Sequence, residues 1–169
     1  QPMSWNNKYT ITFNGEIYNY LEIKKELEKI GFTFSSGTDT EIILAAYHQW
    51  GTQCVNRFNG MWAFAIHDRM QSQVFISRDR FGVKPLYLFS NETMFSFASE
   101  IRQLLFLLKD VYADTQIIFD YLYLNQQNHT NNTFFREIKR VPQGCNLIYK
   151  LPSNHYTICL LYTSDAADE

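Results

Sequence analysis

The stretch at residues 13–20, FNGEIYNY, places the tightest constraint on how this chain folds. Just before it, residues 9–13 alternate apolar and polar side chains, which predicts a β-strand. Asn14-Gly15 readily adopts positive backbone dihedrals, so the strand is predicted to stop there, and a helix pattern follows at once. An amide side chain, a bare backbone N–H and the Glu16 carboxylate are therefore predicted to lie together where the strand ends.

The Asn14-Gly15 pair has two interpretations. Asn14 can donate hydrogen bonds through its side-chain NH2, and Gly15 can donate through a backbone N–H that no side chain covers. Two convergent neutral donors are what an oxyanion hole needs. Judged on the dipeptide alone, an ordinary turn is the simpler interpretation.

The composition predicts one domain with an aromatic core. The 169 residues fit a single domain, and the 14 Phe and 11 Tyr among them favour a β-rich interior. A net charge of −2 provides no electrostatic footprint for nucleic acid. No apolar run is long enough to span a bilayer, so neither nucleic acid nor membrane is an expected partner.

The cysteines and histidines indicate neither a disulfide framework nor a metal site. Cys54, Cys145 and Cys159 are odd in number and have no paired spacing, which favours a reducing, cytoplasmic location. No metal-ligand spacing is present, so no metal is expected in this chain. His48 is interpreted as an ordinary surface or edge histidine.

Two helices are predicted in the first third of the chain. Residues 19–30 form the first, with a capping box from Asn19 to Glu22 and a buried face that leaves Ile23 near its edge; that face comprises Leu21, Leu27 and Ile30. After a short strand and turn at 32–37, a second helix opens with a capping box from Thr38 to Glu41 and ends at Gly51; its predicted buried side is Ile42, Ile43, Ala46, Tyr47 and Trp50.

Asp39 lies at the start of the second helix, where the helix dipole stabilises a carboxylate. Its local sequence favours a capping role. The functional alternative is that Asp39 binds an ammonium group.

From residue 58 the pattern is typical of antiparallel β-structure. Residues 61–67 are almost continuously apolar, which predicts a strand buried on both faces. Further strands are predicted at 73–78, 86–89, 94–98 and 145–149, with helices at 100–108 and 114–124. The loop at 79–85 contains Arg80, Gly82 and Lys84 but lacks the glycine spacing of a phosphate-binding loop, so a structural role is predicted.

Five blocks of sequence share the order and spacing of one family. They are FNGEIYNY (13–20), SGTDTEIILAAY (36–47), FNGMWAFAIHD (58–68), RDRFGVKPLY (78–87) and FASEI (97–101), and FFREIKRVPQG (134–144) follows. Together they resemble the N-terminal class II glutamine amidotransferase domain of glutamine-hydrolysing asparagine synthetases. The resemblance covers residues 1 to about 158.

The resemblance implies an α+β fold of the N-terminal-nucleophile hydrolase type, a four-layer αββα sandwich of two antiparallel sheets between helices. It implies that an N-terminal Cys attacks the side-chain amide of glutamine, with the α-amine of that Cys as the base. Ammonia leaves, and water hydrolyses the glutamyl thioester. The ammonia then serves a synthetase domain of the same chain, which uses ATP and Mg to amidate aspartate; no cofactor is implied for the residues present here.

Carried over residue by residue, the resemblance assigns Asn14 and Gly15 to the oxyanion hole. It assigns Glu16 and Asp39 to the carboxylates that hold the α-ammonium of glutamine, a role suited to charge-assisted hydrogen bonds. Arg78 and Asp79 match a strongly patterned loop of the family, and for them we predict an ion pair or a loop anchor.

Three departures from the family pattern follow from the printed sequence. The chain opens at Gln1-Pro2-Met3, interpreted as the middle of a loop, without the N-terminal Cys and the arginine segment of the family, so this chain as printed is not expected to hydrolyse glutamine. The pyrophosphate loop of the synthetase domain is missing. Residues 159–169 are interpreted as a non-native tail from an adapter read-through, which leaves 1–158 as a partial amidotransferase domain.

Two alternatives remain open. One is the glutaminase domain of another class II amidotransferase, of the sugar-phosphate or phosphoribosyl type. The other is a non-catalytic paralogue that acts as a binding or regulatory module. The sequence does not decide the oligomeric state, and a homodimer is compatible with it.

Overall fold

The computed structural model describes residues 2–151 and 155–160, and these divide into two compact units. The first unit runs to Lys84 and resumes at Gln143, and the second comprises Pro85–Pro142.

The first unit is built on a six-stranded antiparallel sheet. Its strands, in the order β1-β2-β3-β4-β8-β9, are β1 (Met3–Trp5), β2 (Tyr9–Ile17), β3 (Gly60–Asp68), β4 (Gln73–Arg78), β8 (Cys145–Lys150) and β9 (His155–Leu160). Its helices are α1 (Tyr20–Lys29), α2 (Asp39–Trp50) and a 3-10 helix (Gly51–Arg57). The predicted hairpin at residues 68–72 joins β3 to β4 as expected.

The second unit contains a three-stranded antiparallel sheet in the order β6-β5-β7. Its elements are β5 (Tyr87–Ser90), β6 (Phe95–Ala98), α3 (Ile101–Leu105), α4 (Thr115–Leu124) and β7 (Ile138–Arg140). A small core of Phe89, Leu104 and Ile138 lies inside this unit. Two antiparallel sheets accompanied by helices confirm the predicted α+β class.

One face of the six-stranded sheet carries the main core. Along this face Ile11 pairs with Ile66, and Phe13 pairs with Phe64. Helix α2 covers the face through a buried run from Thr40 to Tyr47, and α1 packs on α2. The prediction for β3 is confirmed, because the consecutive residues Trp62, Ala63, Phe64, Ala65 and Ile66 are all buried.

Strand β2 does not stop at Asn14-Gly15, as the sequence predicted, but continues to Ile17. Gly15 pairs with Trp62 and has φ of +156°, and Gly60 pairs with Ile17 and has φ of +159°. A Cβ on Gly15 would lie 2.2 Å from the Met61 carbonyl oxygen, and a Cβ on Gly60 would lie 2.2 Å from the Glu16 carbonyl oxygen. Gly15 therefore permits a close approach of the two paired strands here rather than a turn.

The buried face of α1 also differs from the prediction. Ile23 and Leu27 are buried, whereas Leu21 and Ile30 are 54% and 53% exposed. The sequence contains apolar residues on more than one face of this helix, and packing on α2 selects the face that becomes buried.

Asn19 does not form the predicted capping box. It is the N-cap residue of α1, but its side chain makes no capping hydrogen bond. Instead Asn19 Nδ2 donates to the Arg57 carbonyl at 2.9 Å, and Asn19 Oδ1 accepts from the Asn59 N–H at 2.9 Å. The amide thus ties the end of β2 to the segment that leads into β3.

Glu41 has different partners from those predicted. Its carboxylate is 5% exposed and accepts from the N–H and hydroxyl groups of Ser35 and Ser36 at 2.7 to 3.0 Å. Burial raises the pKa of Glu41, but these hydrogen bonds outweigh it and leave the pKa below its ordinary value. The Thr38 hydroxyl instead shares a hydrogen bond with the Ser36 hydroxyl at 2.9 Å. The strand and turn predicted at 32–37 are irregular backbone, in which Glu41 holds Ser35 and Ser36.

The remaining differences concern short elements and helix ends. Strands β1, β7 and β9 were not predicted, and β1 includes Met3, which was expected in a loop. The helix predicted at 100–108 ends at Leu105. A three-residue strand is too short to show periodicity, and only its pairing partner defines it. Strand β9 runs to Leu160, whereas residues 161–169 lie outside the described part of the chain, so the tail interpretation stays a prediction.

Gly15→Ala should lower the free energy of unfolding by about 2–4 kcal/mol, since the new methyl group would overlap backbone atoms that cannot move aside. Gly37→Ala is the matched control, because a Cβ there meets nothing within 4 Å. Urea denaturation of both variants measures the difference. Equal stability of the two variants would contradict the close approach of β2 and β3.

Glu41→Gln should lower the free energy of unfolding by about 1–2 kcal/mol at pH 7, because it removes the charge from a hydrogen-bonded buried carboxylate. A lowered folded-state pKa means that this stabilisation is present above the ordinary glutamate pKa and is lost as the pH falls through the folded-state value. The gap between the wild type and the variant should therefore narrow as the pH falls from 6 towards about 3.

The control is Glu22→Gln on the exposed side of α1, which should keep the wild-type pH profile. Unfolding is followed by denaturant titration at each pH. A gap that widens at acid pH would mean that the Glu41 carboxylate is not stabilised in its charged form.

Candidate functional site

The end of β2 presents two polar side chains on one face of the sheet. Alternation along the strand places Asn14 and Glu16 on the face opposite to Phe13 and Ile17, which belong to the main core. Both polar residues are exposed. Ala63 lies directly across from Asn14, so the nearest cross-strand side chain is a methyl group that offers no competing donor or acceptor.

Asp39 reaches the same strand end from α2. It is the first residue of that helix, and its Oδ2 accepts a hydrogen bond from the Ile17 N–H at 3.1 Å. This N–H belongs to the peptide that joins Glu16 to Ile17, so the structure brings Asp39 next to the Asn14-Gly15-Glu16 segment. Asp39 Oδ1 has no hydrogen-bond partner within the described residues.

Hydrogen bonds to the segment that leads into β3 hold this strand end. The Tyr18 N–H donates to the Asn59 carbonyl at 2.8 Å, next to the two Asn19 side-chain bonds already described. Sequence reasoning missed Asn59, although the chain carries a signal for it. Phe58-Asn59-Gly60 repeats the order Phe13-Asn14-Gly15, and the two glycines are the ones at which β2 and β3 approach each other closely.

Asp79 occupies the centre of the neighbouring loop. It is completely buried and accepts from the N–H groups of Phe81, Val83 and Lys84 at 2.9 to 3.1 Å. These are backbone groups that a phosphate-binding loop would offer to its ligand. Because a carboxylate of the chain itself takes them, the prediction of a structural loop is confirmed.

Arg78 closes the same loop from the other side. Its Nε donates to the Lys84 carbonyl at 2.7 Å, and its Nη2 donates to the Gly82 carbonyl at 2.7 Å. Together with Asp79 it forms the predicted loop anchor. The Asp79 N–H in turn donates to the Trp62 carbonyl at 2.8 Å, which joins the loop to the residue paired with Gly15.

His48 is engaged in an aromatic cluster. Its Nδ1 lies 3.1 Å from the Tyr9 hydroxyl, and its ring centre lies 5.0 Å from that of Trp5. Burial, followed by the nearby charge of Lys8, lowers the pKa of His48. His48 is exposed, which agrees with the prediction of an ordinary surface or edge histidine.

Neither of the two cysteines whose side chains the structure describes is exposed. Cys54 and Cys145 are buried, and neither forms a disulfide. Burial raises the pKa of the Cys54 thiol, which keeps it in the unreactive protonated form. The side chain of Cys159 is outside the described part of the structure.

Two wider features are absent from the described residues. No group of three or more His, Cys, Asp and Glu side chains is arranged to hold a metal ion. Among the described helices, none combines the length and the apolar character needed to cross a membrane.

The arrangement is suited to an amino acid that carries an amide. Neutral donors at Asn14 and Gly15 can stabilise an oxygen that gains negative charge, and the carboxylates at Glu16 and Asp39 can bind an ammonium group. The assignment of these roles to the individual residues remains a prediction.

Comparison with known proteins identifies the family. Residues 1–157 match the family described as glutamine amidotransferase domain. Asparagine synthetase (glutamine-hydrolyzing) 1 of Bacillus subtilis is 38% identical over 123 residues, which are 72% of this chain and 20% of that protein. Asparagine synthetase (glutamine-hydrolyzing) 3 of the same organism is 42% identical over 108 residues, 62% of this chain and 18% of that protein. The chain thus spans about a fifth of the length of these relatives.

Solved structures show the same fold at low sequence identity. The glutamine phosphoribosylpyrophosphate amidotransferase of Bacillus subtilis, in complex with ADP and GMP, aligns with 97% of this chain and 32% of its own at a TM-score of 0.66 and 19% identity. A glutamine aminotransferase class-II domain protein of Silicibacter pomeroyi aligns with 95% of this chain and 70% of its own at a TM-score of 0.54 and 10% identity.

The resemblance seen in the sequence blocks agrees with the fold and with the sequence match. It also agrees with the two polar side chains on one face at the end of β2. The chain belongs to the glutamine amidotransferase domain family and is homologous to the corresponding domain of glutamine-hydrolysing asparagine synthetases.

Proposed function

We propose that this domain releases ammonia from the side-chain amide of glutamine. The ammonia would pass to a synthetase domain of the same protein, where aspartate activated by ATP and Mg becomes asparagine. Membership of the amidotransferase family and homology to glutamine-hydrolysing asparagine synthetases support this proposal. No residue of this chain is assigned to ATP or Mg.

The observation that carries the proposal is the contact between Asp39 and the Ile17 N–H at 3.1 Å. It brings a carboxylate from α2 to the peptide bond that follows Glu16, so both acidic residues lie at the same strand end. Asp39 keeps one oxygen available, and Glu16 is exposed. Two carboxylates can satisfy the three N–H donors of one α-ammonium group through charge-assisted hydrogen bonds.

The proposed role of Asn14 and Gly15 concerns the transition state. A thiolate attacks the amide carbon of glutamine, a carbon–sulfur bond forms, and the carbonyl oxygen gains negative charge. Donors from Asn14 and Gly15 would stabilise that charge more than they stabilise the neutral carbonyl. The carbon–nitrogen bond then breaks, ammonia leaves with the proton that the thiol lost, and water hydrolyses the thioester to glutamate.

The resemblance assigns the attacking thiol and the base to one N-terminal cysteine. Cys54 and Cys145 do not suit this role, because each is buried within the chain and carries no α-amine. The odd number of cysteines and their lack of paired spacing support a cytoplasmic location as part of the proposal. A homodimer, which the sequence leaves open, remains a prediction.

Kinetics on a full-length enzyme that contains this sequence and an N-terminal cysteine should separate the proposed roles. Asn14→Ala should lower kcat for glutamine hydrolysis by about a hundredfold or more with little change in KM, because the donor acts when the oxyanion develops. Asp39→Asn should mainly raise KM, by about 30-fold for a loss of roughly 2 kcal/mol, because the ammonium is charged before and during the reaction.

The Asp39→Asn variant removes charge while an amide oxygen can still accept from the Ile17 N–H, and Asn caps a helix about as well as Asp. Thr12→Ala, on an exposed residue two positions before Asn14, is the matched control and should change neither constant. Ammonia-dependent synthesis should be normal in all three variants. An effect of Asn14→Ala on KM alone, with an effect of Asp39→Asn on kcat alone, would reverse the assignment.

A further inference from the structure

The second unit contains a cavity that the proposed glutamine site does not use. Its volume is about 350 Å³, and its walls come from β5, α3, α4, β7 and the segment from Gln126 to Phe134. All of these elements belong to Pro85–Pro142, so the cavity lies within one compact unit.

Arg140 supplies a positive charge to this cavity. Its guanidinium donates to the Asn128 side-chain oxygen and lies 6.0 Å from the centre of the Tyr87 ring. Neither partner carries a negative charge. Within the described residues Arg140 has no ion pair, so its guanidinium charge is not neutralised by a carboxylate of the chain.

Asp120, an acid that contacts the lining residue His129, is already engaged. Asp120 is 7% exposed, and its two oxygens bind His129 Nε2 at 2.8 Å and Gln116 Nε2 at 2.7 Å. The carboxylate charge is therefore directed to His129 and Gln116. An anion in the cavity would meet the His129 ring and the Arg140 guanidinium rather than an exposed carboxylate.

The remaining walls combine aromatic and aliphatic side chains with amide and hydroxyl side chains of the 126–133 segment. Tyr121 and Phe134 pack edge to face with ring centres 5.5 Å apart, and Ile117 and Tyr87 also line the space. A cavity of this size that combines aromatic surface with convergent polar groups suits a small molecule that has both an apolar body and a polar group. The planar fork of arginine matches the oxygen atoms of a carboxylate or phosphate.

We propose that this cavity binds a small organic anion, in which a carboxylate or phosphate is carried on a flat apolar body. The anionic oxygens pair with Arg140, and the flat body lies among the rings of Tyr87, Tyr121 and Phe134. This site is independent of the proposed glutaminase chemistry.

The test is a titration of the full 169-residue chain with benzoate, phenyl phosphate and the neutral isostere benzamide, followed by amide chemical shifts in two-dimensional NMR. At least one anion should bind saturably with shifts confined to the cavity residues, and benzamide should bind about tenfold more weakly or not at all. The stronger of the two anions identifies carboxylate or phosphate as the preferred group.

Arg140→Gln should raise the Kd of the preferred anion about tenfold or more, whereas Arg102→Gln, which removes the same charge from an exposed part of α3, should not. The comparison with benzamide uses the wild-type chain and so holds even if the Arg140 variant fails to fold. The proposal would be overturned by equal binding of benzamide and the anions, by unchanged affinity in a folded Arg140→Gln variant, or by no saturable shift up to about 20 mM of either anion.

Discussion

The close approach of β2 and β3 at Gly15 and Gly60 is the constraint on which the candidate site depends. Each glycine lies against a carbonyl oxygen of the other strand, at a distance that no side chain allows. This close approach fixes the strand register, because a shift by one residue would exchange the two faces of β2. That register directs Asn14 and Glu16 away from the main core and aligns Asn14 with Ala63.

The start of α2 brings Asp39 to the same candidate site, and a buried carboxylate, Glu41, helps to hold that helix start in place. Glu41 holds the Ser35-Ser36 segment that leads into the helix, and Asp39 then meets the Ile17 N–H at 3.1 Å. A partly exposed acid at a helix start gains from the helix dipole. The fold thus positions Asp39 beside the strand end while leaving one of its oxygens available.

The acidic residues of the first unit separate into two groups by burial. Glu41, Asp68 and Asp79 are buried, and each accepts from several donors of the chain, mainly backbone N–H groups. A buried charge is costly unless such donors compensate it, so these carboxylates organise loops and are not available to a ligand. Glu16 and Asp39 keep solvent access, which suits them to bind a cation. In the second unit Asp120 resembles the buried group, and Arg140 is left as the uncompensated charge that faces a cavity.

The sequence by itself determined the α+β class, the antiparallel pairing, the fully buried β3 and, through its motif blocks, the family. These features depend on periodicity and on residues close together in the chain, which a linear reading detects. Only the tertiary structure decided where β2 ends, which face of α1 is buried, and which hydrogen-bond partners Asn19 and Glu41 have. Glu41 bonds Ser35 and Ser36, only six and five residues before it. For β2, α1 and Asn19 a local preference competed with a partner brought from a distant segment. The distant partner prevailed because burial makes every unsatisfied polar group and every steric overlap costly, and the folded backbone can meet those demands only where its segments come together.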